Sequence, residues 1–76
     1  MPTAFVLINA EMGLELDVLK DLRKVEGVDE AFAVYGVYDV IVTVRAKRMD
    51  KLKEIITRHI RRIDKVRSTL TLIVSE

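Results

Sequence analysis

The 76-residue chain is half hydrophobic and one third charged, enough for one folded core and too short for two, so a single domain spanning 1–76 is expected. It has no cysteine, which excludes disulfides, zinc–thiolate sites and thiol chemistry. Its apolar runs fall far short of a membrane span and no basic leader precedes them, so a cytoplasmic protein with no membrane partner is expected.

The formal net charge of +1 hides an uneven layout: ten of the 13 Lys and Arg residues lie between Arg45 and Arg67, and most acids precede them. Such a stripe suits an anionic partner, but it more often means a solvated helix face that helps subunits pair.

In chain order, Thr3 to Ala10 reads as a strand, rich in residues that fit a pleated sheet. Glu11 to Glu15, holding Gly13, opens a helix whose inner face carries Leu14, Val18, Leu19, Leu22 and Val25. Gly27 is expected to end that helix. A second strand runs from Val28 to Tyr35 and a third from Tyr38 to Ala46. Between them Gly36-Val37 reads as a two-residue type II′ turn, with glycine where φ must be positive. The second helix, Met49 to Ile63, turns Leu52, Ile55, Ile56, Ile60 and Ile63 inward, with its N-cap left open by Asp50 and Lys51. The last strand is Val66 to Val74.

The chain overlays on itself when shifted by half its length. Leu14 falls on Leu52, Val18 on Ile56, Leu22 on Ile60, Val25 on Ile63, Val28 on Val66, Phe32 on Leu70 and Val34 on Leu72. Helix spacing followed by strand spacing, twice and in phase, predicts a duplicated unit. The order βαββαβ with right-handed crossovers gives a ferredoxin-like α+β sandwich: a four-stranded antiparallel sheet with two helices on one face.

Alternation from Val28 and Val66 sends Phe32, Val34, Leu70 and Leu72 toward the helices, with Val6, Ile8, Val42 and Val44. The other face would then carry Phe5, Leu7, Asn9, Ala31, Ala33, Tyr35, Ile41, Thr43, Arg45, Thr69, Thr71 and Ile73. That is too apolar for a solvated sheet, so pairing with a second copy about a twofold axis, as in a dimeric α/β-barrel, is expected.

The hairpin Tyr35-Gly36-Val37-Tyr38-Asp39 and the closing run Val66-Arg67-Ser68-Thr69-Leu70-Thr71-Leu72-Ile73-Val74 resemble the effector-binding (RAM) module of the Lrp/AsnC transcriptional regulators over essentially the whole chain. The resemblance implies this same fold, sheet-to-sheet dimers, and rings of dimers such as octamers or decamers. It also implies amino-acid effectors in clefts between dimers, near the second and third strands. Full-length regulators carry a DNA-binding helix-turn-helix domain, whereas this chain starts at the first strand. A stand-alone module is therefore expected, one that holds no nucleic acid directly and co-assembles with full-length regulators.

A free amino acid needs donors for its carboxylate and acceptors for its ammonium group. The backbone N–H groups of Gly36 and Val37 supply the first. Asp39 supplies the second, beside Tyr38, and the hydroxyls of Ser68, Thr69 and Thr71 can serve either. Each has a structural alternative: a turn glycine, a turn-capping acid, β-branched strand residues. Tyr35 is expected at a subunit seam, and the lone His59 at the inner edge of the second helix, without a metal role. RNA recognition would need outer-face aromatics that the third strand lacks. Metal chaperones of this topology need paired cysteines, and small phosphatases an anion-cradling loop that Glu11-Met12-Gly13 does not provide. No catalytic group pair stands out, so neither an enzyme nor a cofactor is expected. The remaining rival is a purely structural oligomerisation module with no ligand.

Overall fold

The computed structural model describes residues 1–75. Its elements are β1 (Thr3–Ala10), α1 (Glu15–Leu22), β2 (Val28–Ala33), β3 (Val40–Arg45), α2 (Met49–Glu54, continuing as a π-helical turn over Ile55–Ile60) and β4 (Val66–Ile73). All strand pairs are antiparallel, in the order β2-β3-β1-β4. This is the expected ferredoxin-like sandwich. No helix among the described residues is long and apolar enough to cross a membrane.

The core follows from two periodicities. Ala4, Val6, Ile8 and Ala10 alternate along β1, and Val40, Val42 and Val44 along β3, so the two central strands present a continuous apolar surface. Val18, Leu19 and Leu22 of α1, and Leu52, Ile55, Ile56 and Ile60 of the second helix, close over it. From Ile55 the helix widens: the Arg61 N–H donates to the carbonyl of Ile56, five residues back, at 2.9 Å. His59 lies on the solvent side of that turn, exposed rather than at the inner edge.

The duplication is visible in the hydrogen bonds. Val25 N–H donates to the Leu22 carbonyl at 3.0 Å, and the repeat-related Ile63 N–H to Ile60 at 3.3 Å. Val28 N–H then donates to Val25 at 3.2 Å, and Val66 N–H to Ile63 at 3.0 Å. In both halves these turns end the helix earlier than periodicity alone predicts. Gly27 is therefore not the helix terminus but the third residue of the turn into β2, where its φ of +101° is required. At the other end Gly13 belongs to a separate turn, closed by Leu14 N–H to the Glu11 carbonyl at 2.9 Å, and α1 starts only at Glu15.

The face assignment of the two edge strands is reversed. Opposite residues in an antiparallel pair share a face. Ala31 pairs with Val42, so it points to the helices and is 5% exposed, while Phe32 pairs with Ile41 and points away. Leu70 pairs with Leu7 and Leu72 with Phe5 on the open face, whereas Thr69, Thr71 and Ile73 stand opposite Ile8, Val6 and Ala4 on the helix side. The cause is one extra residue in each edge strand. Asp29 bulges out between Val28 and Glu30, and Arg67 between Val66 and Ser68, at repeat-related positions. A bulge shifts the period-two alternation by one, so every later side chain changes sides. The open face is consequently oilier than expected: Phe5, Leu7, Phe32, Ile41, Leu70 and Leu72 stand together on it.

The hairpin also differs. Strand pairing stops at Val34, whose N–H donates to the Asp39 carbonyl at 2.8 Å, leaving a four-residue loop from Tyr35 to Tyr38. Gly36 has φ +146°, far from the roughly +60° of a type II′ turn. Asp39 is the last residue held on both sides, because its N–H also donates to the Ile8 carbonyl at 2.9 Å.

Candidate functional site

At the hairpin end of the sheet, the β1–α1 turn, the edge of β2 and the start of β4 enclose an open cleft of about 710 Å³. Asn9, Glu15, Asp39 and Arg67 supply its polar groups, and Met12, Leu16, Ala33, Val34 and Tyr35 much of its apolar wall. Met12 is 95% exposed and Leu16 64%, so neither is spent on the core.

Asp39 is half-buried, and its Oδ2 accepts from the Ala10 N–H at 3.0 Å. Side chain and backbone together pin the hairpin to the end of β1, so Asp39 has a structural duty whatever else it does. Asp39→Ala leaves the Ala10 N–H without its acceptor; the expected loss is about 1–2 kcal/mol, read as a thermal midpoint lowered by roughly 5–15 °C. Asp39→Asn retains an acceptor oxygen and is expected to stay near the parent midpoint.

The other expected site residues are scattered. Tyr35 lines the cleft and is wholly exposed. Tyr38 is half-buried outside the cleft lining. Gly36 and Val37 form the loop tip, with Val37 85% exposed, and a Cβ on Gly36 would meet nothing within 4 Å. Its missing side chain therefore opens no approach within this chain. Ser68 and Thr69 line a second, smaller cleft of about 290 Å³ with Arg61, Val66 and Arg67. Thr71 stands opposite Val6 on the helix-facing side, away from both.

Arg67 lines both clefts and was missed by sequence reasoning, as were Asn9, Met12, Glu15 and Leu16. Leu16 carried a signal: it lies off the stripe formed by Leu14, Val18 and Leu22. Arg67 carried another, in that the repeat places it on an acid, Asp29.

The resolved shifts in acidity lie elsewhere. The hydrogen bond from Arg48 holds Asp50 below its usual carboxylate range, and that from Lys51 does the same for Glu54. Among the described residues no group of three His, Asp or Glu side chains could hold a metal ion.

The family model for the Lrp/AsnC ligand binding domain matches residues 3–76. The chain belongs to the Lrp/AsnC ligand-binding domain family. That is a regulator domain, not an enzyme. An uncharacterized HTH-type transcriptional regulator of Pyrococcus furiosus is 34% identical over 74 residues, covering 93% of this chain and 49% of that protein. The Lrp/AsnC chain thus spans about half the length of the curated relatives it matches. Among solved structures, a hypothetical protein from Pyrococcus horikoshii superposes with a TM-score of 0.92 at 38% identity, over 97% of this chain and 89% of that one. A feast or famine regulatory protein from M. tuberculosis, complexed with L-methionine, superposes with a TM-score of 0.78 at 26% identity, over 100% of this chain and 51% of that one. This Lrp/AsnC domain has the open, apolar sheet face and the hairpin cleft described above.

Proposed function

We propose that this Lrp/AsnC domain is an amino-acid-sensing module. The observation that carries the reading is the hairpin cleft. It gathers an acceptor pair, Glu15 and Asp39, a cationic donor, Arg67, and unspent apolar side chains within one small space. A free amino acid presents a complement to each: ammonium, carboxylate and side chain. The L-methionine complex of the M. tuberculosis relative supports an effector of this kind.

In this reading the open sheet face covers itself with a second copy, and dimers assemble further into rings. The cleft, open within one chain, gains its remaining wall from the neighbouring dimer, with the tip residues Gly36, Val37 and Tyr38 placed to meet it. Modulation of full-length regulators would follow from mixed assemblies, since one fold is common to both.

Titration calorimetry against the twenty amino acids tests the reading. One of them, or a small chemically related group, should give saturable heat, and Asp39→Asn should weaken it at least tenfold by removing the charge that faces the ammonium group. Silence from all twenty at millimolar concentration would leave the oligomerisation module without ligand. That second reading already has the apolar sheet face in its favour, because the face does not depend on the cleft.

A further inference from the structure

The two halves of the chain build the same small cleft twice, with different chemistry. In the first half Arg23, Val28, Asp29, Glu30, Ala31 and Phe32 line it. In the second half Arg61, Val66, Arg67, Ser68 and Thr69 do. Each residue of the second set lies 38 positions after its counterpart in the first. The comparison is therefore an internal control on what an arginine at this place in the fold requires.

In the first cleft the arginine is provided for. The Arg23 guanidinium donates to the Ala31 carbonyl at 3.1 Å, and two carboxylates, Asp29 and Glu30, line the same space. In the second cleft both acids are gone. The bulge position holds Arg67 in place of an acid, and the next residue is Ser68. Neither Arg61 nor Arg67 forms an ion pair or side-chain hydrogen bond with another described residue. Two guanidinium groups thus line one cleft with no carboxylate in its lining. The bulge aids this, since an extra residue left out of the ladder is free to re-aim its side chain.

The hydroxyls complete the pattern. Ser68 Oγ accepts from the Asn9 amide at 3.3 Å, so its own hydrogen remains available to donate. Thr69 adds a second hydroxyl. The cleft offers donors, positive charge and little apolar wall. The helix end nearby presents carbonyls, worth about half a negative charge, but Arg58 and Arg61 in or beside its last turn outweigh them.

We propose that the Arg61–Arg67–Ser68–Thr69 cleft is a binding site for a small tetrahedral oxyanion, inorganic phosphate or a phosphate monoester, replacing the carboxylates that the first half carries in its own chain. Paired guanidinium forks and hydroxyl donors suit the three or four oxygens of such a group better than a planar carboxylate. The site shares only Arg67 with the hairpin cleft, which Arg61, Ser68 and Thr69 do not line.

Thermal unfolding of the whole chain tests it, with sodium phosphate, sulfate and glycerol 3-phosphate each compared with sodium chloride at equal ionic strength. Phosphate should raise the midpoint by about 2–5 °C at tens of millimolar, beyond any rise in chloride. Arg61→Gln should abolish that difference. The double variant Arg67→Asp with Ser68→Glu, which restores the acids of the first half, should also lose the response and show a midpoint at or above that of the parent without phosphate. A larger rise with glycerol 3-phosphate than with phosphate would mark an ester as the ligand, and equal rises the free anion. Equal responses to phosphate and chloride, or a full phosphate response in Arg61→Gln, would overturn the proposal. So would binding to a DNA duplex with no response to any of the small anions.

Discussion

Leu70→Lys is expected to sediment as a monomer at concentrations where the parent chain self-associates. Leu70 sits on the edge strand β4 opposite Leu7, 43% exposed in the single chain, at one end of an open-face row that continues through Leu7 and Ile41 to Phe32. In a twofold interface each substitution counts twice. Only the exposed part of each leucine is covered on pairing, so losing two costs about 1–3 kcal/mol, which is roughly ten- to a hundredfold in dimer affinity. Each lysine would also bring a charge into an apolar interface, which adds to the loss. Thr57→Lys, on the exposed side of the second helix, should leave association unchanged. Sedimentation equilibrium reads both variants, and a parent chain that is monomeric at every concentration would remove the basis for sheet-to-sheet pairing.

Gly27→Ala is expected to be the most damaging of the three glycine-to-alanine changes in this fold. The residue has φ +101°, which side chains rarely adopt. A Cβ there would lie 2.5 Å from Ile55 Cδ1 and 3.4 Å from the Arg45 carbonyl oxygen, so the end of the largely buried Ile55 side chain would have to shift. Backbone strain and overpacking together should remove about 2–4 kcal/mol, a fall in midpoint of roughly 10–25 °C. The two contributions separate in a cycle with Ile55→Val, which deletes the clashing Cδ1. The double variant should lose less than the sum of the singles, and what remains beyond Ile55→Val alone measures the backbone strain. Purely additive losses would mean that the Ile55 contact plays no part.

The fold was legible because its strongest signals are periodic. Val18, Leu22, Ile56 and Ile60 face inward as their spacing requires, and the half-length repeat recovers the matched turns at Val25–Val28 and Ile63–Val66. What the sequence could not convey was phase in the edge strands. Asp29 and Arg67 are ordinary polar residues, and nothing in their identity marks an extra residue in the ladder. The alternation was therefore carried through unbroken and put Phe32, Leu70 and Leu72 on the wrong side. The repeat could not expose the error, because both halves contain it.

The candidate site was legible only in part, for a related reason. Asp39 stood out beside Tyr38, just after the Gly36-Val37 turn, and it does line the cleft. Its hydrogen bond to Ala10 is a contact across 29 positions, invisible to a local motif. The four-residue loop follows from that contact rather than from Gly36. Arg67 looked like one more surface cation until the bulge was seen. Met12 and Leu16 fell outside every sequence motif, and the core is complete without them.

The two bulges have a consequence for how self-association is encoded. Composition alone would not distinguish an adhesive version of this domain from an inert one. With Arg67 excised, the remainder of that edge would turn over, carrying its threonines outward and its leucines under the helices. Stickiness here is a matter of framing: one spacer per half decides which side of the fabric shows.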